Sequence, residues 1–364
     1  MRILFSAVPA PGHLLPLLPL ADAAAEAGHE VAFLTAADMA GYLEGRTLLP
    51  AGPGVDELLI EVERRTSGGD ARHPGAAAVE NFAGARIDLG YPEALDRAHG
   101  FAPNLLVCEE FDFVGPLVAA ALELPWAAHA IAAPVPGELS AALQARARAQ
   151  HTTRDLRPRH RVALVDPLPD VLRSPTDPPL PDDRLPMRPA VHTGGAVADL
   201  PSGPLVLVSA GTSVRDPDLL TGLAGSVADA GFEVVVTIEP GTLPRHPRVR
   251  EIGFVPLAGL LPRVEAVVGT GGMGTVQATL SAGLPMVLQP VLADQPWNAQ
   301  RVTAAGLGLA IDDPAEAGPA VRTVLAEPRY RTAAQAGAAA TRSMPAPEVV
   351  LDDLLLRAGL SARS

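Results

Sequence analysis

The chain contains no lysine; all 28 of its basic residues are arginine. A Walker-type phosphate loop needs a lysine, and so does a pyridoxal Schiff base, so both chemistries are excluded. A single cysteine, Cys108, rules out an internal disulfide and a cysteine-rich zinc site. Aromatic residues make up only 4%, which leaves the filling of any core to Val, Leu, Ile and Ala. Positive charge is in deficit, with a net charge of -13. An acidic surface repels a phosphate backbone and argues against nucleic acid as a partner. No unbroken apolar run approaches the about 18 residues of a membrane span. Pro9 and Pro11 interrupt the N-terminal MRILFSAVPAPGH before a leader's apolar centre could form. The expectation is a cytoplasmic protein with no membrane partner.

What remains is 364 residues, 48% of them hydrophobic, enough for two domains of ordinary size. Apolar runs of strand length alternate with helix-length amphipathic stretches. Residues 2–7, 30–35, 104–110 and 125–132 read as buried strands, with a helix over 15–28 ended by Gly28. Residues 166–204 are dense in Pro and Asp and read as a semi-rigid connector. A second alternation follows, with strands at 204–211, 232–238, 249–255, 265–269 and 285–291. Helices are expected near 216–230, from about Gly272 and from about Pro296. The fold class is therefore α/β, with two Rossmann-like domains, 1–185 and 186–345. Their parallel sheets would face each other across a cleft that collects the carboxyl ends of both.

The most informative segment is 267–302. A buried strand runs into Gly269-Thr270-Gly271-Gly272-Met273-Gly274-Thr275 and then a helix. Glycines let a backbone approach a phosphate closely, and a helix start offers unpaired amides and a partial positive charge. Gly269, Gly271 and Gly274 also satisfy the dinucleotide fingerprint, which would make the chain an NAD-type oxidoreductase. That reading wants an acidic residue about 20 positions on to hold a ribose. The following strand offers Gln289 instead, with Asp294 beyond it.

The segment resembles the donor-binding signature of the GT-B natural-product glycosyltransferases. The matching elements are Gly271, Gly272, Gly274 and Thr275; then Ala282-Gly283-Leu284-Pro285; then Ala293-Asp294-Gln295-Pro296 with Asn298-Ala299. Upstream, Phe254-Val255-Pro256-Leu257 resembles the base-binding stretch, and Ser209-Ala210-Gly211-Thr212 the interdomain donor loop. Pro11-Gly12-His13-Leu14 and the strand 104–109 match as well, so the likeness spans most of the chain. The resemblance implies a nucleotide diphosphate sugar as co-substrate, a small hydrophobic acceptor, and no separate cofactor or metal. Residues 271–275 would hold the diphosphate through backbone amides. Asp294 and Gln295 would bind sugar hydroxyls, with Asn298 nearby on the following helix. The alternative for Asp294 is an N-cap of the helix beginning near Pro296, a role that can coexist with sugar binding. The family usually carries a His where this chain has Thr270. A shorter, neutral donor there would weaken the diphosphate contact, which leaves open a slowed enzyme or a helper homologue.

In the first domain, His13 follows the first strand and opens a helix at the sheet's carboxyl edge. Its chemistry suits a general base for an inverting transfer, the role the resemblance implies. Such a base usually needs an orienting carboxylate, and the resemblance implies Glu109, at the end of strand 104–109, or Asp112, just past it, in that role; Asp112 also reads as a cap for a helix near Val114. The other histidines, at 29, 73, 99, 129, 151, 160, 192 and 246, lack metal-ligand spacing. Asp216-Pro217-Asp218 has the form of a metal-binding Asp-x-Asp but reads as a helix start. The stretch 52–90 looks irregular, and the resemblance implies that such a segment shapes the acceptor pocket; Phe82, Phe111, Phe113, Trp126 and Leu143 are candidate lining, though each reads first as plain core. The C-terminal segment 346–364 reads as a last amphipathic helix over 347–360; the resemblance implies that it crosses back onto the first domain, and the alternative is a terminal helix packed on its own domain. A homodimer is a further possibility.

Overall fold

Residues Arg2–Ser6 form β1, and their side chains alternate between two cores because successive strand residues point to opposite faces. The structure, a computed structural model, describes residues 1–190, 200, 203–212, 214, 216–253 and 255–360. The chain divides into two units. One comprises Met1–Pro167, Asp177–Met187 and Pro345–Ser364; the other comprises Leu168–Thr176 and Arg188–Met344.

The first unit is built on a seven-stranded sheet of parallel strands. After β1 come β2 (Glu30–Thr35), β3 (Thr47–Pro50), β4 (Leu105–Glu109), β5 (Trp126–His129), β6 (Leu164–Asp166) and β7 (Arg184–Pro186). Their order is β3-β2-β1-β4-β5-β6-β7, with Phe5 opposite Phe33 on one side and Val107 on the other. Ile3 and Phe5 enter one core with Leu17, Leu20 and Phe33; Leu4 enters the opposite core with Leu34, Leu106 and Leu117. Both faces are thus covered, as an all-parallel sheet requires. The first core also takes Val350, Leu351, Leu354 and Leu355 from the last helix, Pro347–Arg357. Arg357 fastens that helix further by donating from Nη1 to the Asp183 carbonyl at 3.0 Å.

Two stretches differ from the sequence reading. Most of the apparently irregular 52–90 is helical: Val55–Arg65, Ala76–Glu80, a single π-helical turn Asn81–Ala85, and the start of Arg86–Phe101. The first of these buries only Leu58 and Val62, a stripe too narrow to stand out, and Pro92 sits inside the last. The proline-dense connector likewise contributes β7. An edge strand hydrogen-bonds on one side only, so Pro186 is tolerated at its end, paired in register with Asp166.

The second unit carries β8 (Leu205–Ser209), β9 (Glu233–Val236), β10 (Val249–Glu251), β11 (Ala266–Gly269), β12 (Met286–Leu288) and β13 (Gly308–Ala310). The order is β10-β9-β8-β11-β12-β13, again parallel throughout. Val208, Val234, Val268 and Val287 face one core with Leu223 and Val321; Leu207, Val235 and Val267 face the other with Leu260 and Leu284. In each sheet the strand order reverses once, between β1 and β4 and between β8 and β11. Ligands of such sheets bind outside the carboxyl ends of the strands at that reversal. Among the described residues no helix is long and apolar enough to cross a membrane.

Candidate active site

His13 leaves the carboxyl end of β1 in the short helix Pro11–Leu14, whose Pro11 occupies the first helical position where its missing N–H costs nothing. Glu109 is the last residue of β4, the neighbouring strand, so both stand at the reversal point of the first sheet. His13 Nδ1 lies 3.0 Å from Glu109 Oε1. The carboxylate is buried, and it also accepts the amides of Val8 at 3.2 Å and Phe111 at 2.8 Å. Two backbone amides and the His13 ring thus converge on this one side chain. The His13 side chain is 19% exposed. Phe82 and Phe111 flank it, with ring centroids 5.6 and 5.9 Å away, and lie 5.3 Å from each other.

Of the two candidate carboxylates, Glu109 is the one on His13. Asp112 is engaged elsewhere: the Ser6 hydroxyl donates to Oδ2, and Arg86 Nε lies 3.8 Å from Oδ1. Burial pushes the Asp112 carboxyl upward, opposed by the Arg86 cation. Arg86, buried beneath this turn, was invisible to sequence reasoning, since a lone Arg at a helix start reads as surface. The remaining lining candidates part company with Phe82 and Phe111. Phe113 and Leu143 are buried in the core, and Trp126 donates to the Arg159 carbonyl at 3.0 Å.

Glu110, which motif matching passed over, accepts the amides of Ile131 at 3.1 Å and Ala132 at 3.4 Å. Burial, reinforced by Glu109 and Asp166, raises its pKa to about 7 against the pull of those amides. His129 is buried in β5 with Nδ1 2.8 Å from the Ala130 carbonyl, and burial lowers its pKa to about 4. It is neutral near pH 7 and packs inside the sheet.

In the second unit the reversal point is the glycine turn after β11. Gly269 is dictated by its own sheet, since a Cβ there would meet the Ser209 carbonyl oxygen at 2.6 Å. Gly271 adopts a left-handed φ of +87°. Gly272 is the N-cap of helix Met273–Ser281 and no side chain caps its first amides. A Cβ at Gly272 or Gly274 would meet nothing within 4 Å, so neither sterics nor φ demands glycine there. Gly211, in the turn after β8, lies beside this helix start: a Cβ on it would stand 3.9 Å from Thr275 Oγ1. The Gly211 amide donates to Ser209 Oγ at 3.3 Å, and Thr212 continues the turn. Val255 packs against the Leu260 core, while Phe254 lies outside the described residues.

Thr270 is buried, and its hydroxyl donates to the Ala210 carbonyl at 3.3 Å. Its one proton is thus committed to the β8 turn and not available as a free donor at the glycine turn. Asn298 Nδ2 bridges the Gly271 carbonyl at 2.9 Å and Asp294 Oδ2 at 2.8 Å. Gln295 is buried, and its Oε1 accepts the amides of Val291 at 2.9 Å and Leu292 at 3.0 Å, holding the loop in which Ala293 takes a left-handed φ of +53°. Asp294 occupies the N-cap position of helix Gln295–Ala304, but its carboxylate caps no amide there. The capping alternative is therefore set aside, because the carboxylate is turned to Asn298. Asp216, by contrast, does cap its helix, accepting the amides of Asp218 and Leu219 at 3.0 Å each.

Comparison with known proteins agrees with this arrangement. Residues 222–356 match the family described as "Erythromycin biosynthesis protein CIII-like, C-terminal domain". The chain is 31% identical to the L-demethylnoviosyl transferase of Streptomyces niveus, over 97% of each chain. It is 30% identical to the elloramycin glycosyltransferase of Streptomyces olivaceus, over 99% of this chain and 98% of the other. Among solved structures it is similar to the Streptomyces sp. SF2575 glycosyltransferase SsfS6 complexed with thymidine diphosphate. There the TM-score is 0.82 and the identity 27%, over 96% of this chain and 98% of that one. Glycosyltransferase SnogD from Streptomyces nogalater gives a TM-score of 0.80 at 26% identity, over 98% of this chain and 99% of that one. With two parallel sheets reversing at a histidine–carboxylate pair and at a glycine turn, and with relatives of this similarity along the whole chain, the protein is a glycosyltransferase and belongs to the GT-B natural-product glycosyltransferase family.

Proposed function

We propose that the enzyme transfers a sugar, with inversion and without a metal ion, from a thymidine or uridine diphosphate sugar to a hydroxyl of a small hydrophobic acceptor. The observation that carries this is the His13–Glu109 pair, 3.0 Å apart and walled by Phe82 and Phe111. Glu109 accepts a hydrogen bond from Nδ1–H and holds that tautomer, which leaves the lone pair on Nε2 to receive the acceptor's proton as its oxygen attacks the anomeric carbon. Direct displacement by that oxygen inverts the centre. The carboxylate stabilises the imidazolium that forms. The aromatic walls favour an apolar acceptor.

The leaving diphosphate needs charge stabilisation, and the uncapped amides of residues 272–275 with their helix dipole supply it in place of a metal. Asp294, at the rim of the same turn, accepts sugar hydroxyls. The likeness to a structure solved with thymidine diphosphate favours thymidine over uridine. No cofactor beyond the nucleotide sugar enters this scheme. The test is His13→Ala, assayed with a panel of thymidine and uridine diphosphate sugars. Transfer should fall by about 10²- to 10⁴-fold while nucleotide affinity stays at the wild-type value. An unchanged rate removes His13 as the base.

One observation favours a second reading, a weakened or helper homologue: the Thr270 hydroxyl is spent on Ala210, so the glycine turn lacks a side-chain donor at that position. Nucleotide binding without transfer to any acceptor would support it. A gain in rate on Thr270→His would locate the weakness.

A further inference from the structure

Arg86 heads the largest fully buried side chains of the described residues. It opens helix Arg86–Phe101, and its guanidinium lies under the carboxyl edge of the first sheet. Nη1 donates to the Ala51 carbonyl at 3.2 Å, just beyond β3, and Nη2 to the Ala7 carbonyl at 3.4 Å, just beyond β1. Nε stands 3.8 Å from Asp112 Oδ1 in the turn after β4. One side chain thus reaches the ends of three strands.

Two of these contacts lead to the proposed base. The peptide between Ala7 and Val8 is held at both ends: its carbonyl accepts from Arg86, and its N–H donates to Glu109 Oε1 at 3.2 Å, the oxygen that faces His13. A cation on the carbonyl polarises that peptide and strengthens its N–H as a donor. On the other side, the Asp112 amide donates to the Glu109 carbonyl at 3.0 Å, so the carboxylate paired with Arg86 is on the turn that carries Glu109. Arg86, the Ala7–Val8 peptide, Glu109 and Asp112 therefore close a ring beneath His13. Charged and titratable groups among the described residues that meet in it include Asp112, Glu109 and His13, with Cys108, whose thiol burial holds well above its usual range.

The space for the guanidinium is reserved by two glycines. A Cβ at Gly52 would lie 2.6 Å from Nη1, and one at Gly90 2.7 Å from it. A buried guanidinium is costly, and an apolar side chain of similar volume is often the more stable choice. We infer that Arg86 is a positioning residue for the His13–Glu109 pair, fixing the Glu109 carboxylate and through it the His13 ring.

This rests on His13 acting as base, so the His13→Ala variant is run alongside. The test compares Arg86→Met, Arg86→Lys and Gly90→Ala, which crowds the guanidinium without removing it. For Arg86→Met, kcat per folded molecule should fall about 10- to 100-fold with donor KM unchanged, the scale of a small misplacement of reacting groups. The acid limb of kcat should move to higher pH, because losing a nearby cation makes His13 easier to protonate. Arg86→Lys should recover part of the rate, and Gly90→Ala should shift the limb in the same direction by less. If Arg86→Met does not fold, the Lys and Gly90→Ala variants decide. Lowered thermal stability with wild-type kcat and an unmoved acid limb would overturn the inference while leaving His13 in place. Full activity in His13→Ala would instead remove the reading on which it stands.

Discussion

The side-chain amide of Asn298 donates to the Gly271 carbonyl at 2.9 Å and to Asp294 Oδ2 at 2.8 Å. One buried amide therefore sets both the glycine turn that presents helix amides and the carboxylate beside it. Asn298→Ala should cost about 1–3 kcal/mol in urea unfolding, since the Gly271 carbonyl loses its partner inside the protein. Asn298→Asp should cost more, because a carboxylate would then face both a carbonyl oxygen and Asp294. Calorimetric titration with thymidine diphosphate should show weakened binding in both, more so for Asp. Wild-type nucleotide affinity in Asn298→Asp would mean that the turn keeps its shape without this strut.

The glycines of the turn separate structural need from ligand need. Gly274 lies in the first turn of its helix with nothing within 4 Å of a Cβ. Gly274→Ala should therefore leave stability unchanged or raise it by up to about 1 kcal/mol, as alanine is the better helix former. If the backbone there receives a diphosphate closely, the same methyl should weaken nucleotide binding. Gly269→Ala should behave in the opposite way, destabilising the fold because its Cβ would press on the Ser209 carbonyl at 2.6 Å. Thermal melts with and without thymidine diphosphate distinguish the two. Unaltered nucleotide stabilisation of Gly274→Ala would sink the diphosphate assignment at this helix start.

Much of this arrangement was legible in the sequence. Buried parallel strands write themselves as short apolar runs, so β1, β2, β4, β8 and β11 fall within two residues of where such runs place them. A glycine cluster between such a run and a helix marks a reversal-point turn, and a histidine just past the first strand marks another. Less legible were the weakly patterned elements. The helix Val55–Arg65 has a two-residue buried stripe, and β7 is a three-residue edge strand among prolines. The assignment of Asp112 to its own partners was unreadable, because Ser6, Arg86 and Asp112 come from three separate elements and meet only through packing. So was the engagement of Gln295 and Thr270 with nearby backbone, since a motif states which residue is present and not where its hydrogen bonds go.

Glu110 gives the fold a pH dependence that can be isolated. Burial raises its pKa to about 7 from the ordinary value of 4.5. Between these limits the folded chain keeps a proton that the unfolded chain has released. The advantage is complete below the unfolded pKa and is lost as pH rises through 7, where a buried charge must be carried. At 1.36 kcal/mol per unit the full span is about 3 kcal/mol. Glu110→Gln keeps an acceptor for the amides of Ile131 and Ala132 and cannot ionise. Relative to wild type its unfolding free energy should therefore climb from pH 5 to pH 8 and level off above. His129 acts with the opposite sign, its pKa lowered to about 4, so that stability is lost as pH falls below its unfolded value of 6.5. That contribution is common to both proteins and cancels in the difference. Urea unfolding of the pair at half-unit pH steps measures the curve, and a difference that does not change with pH would show that Glu110 is not held protonated by its surroundings.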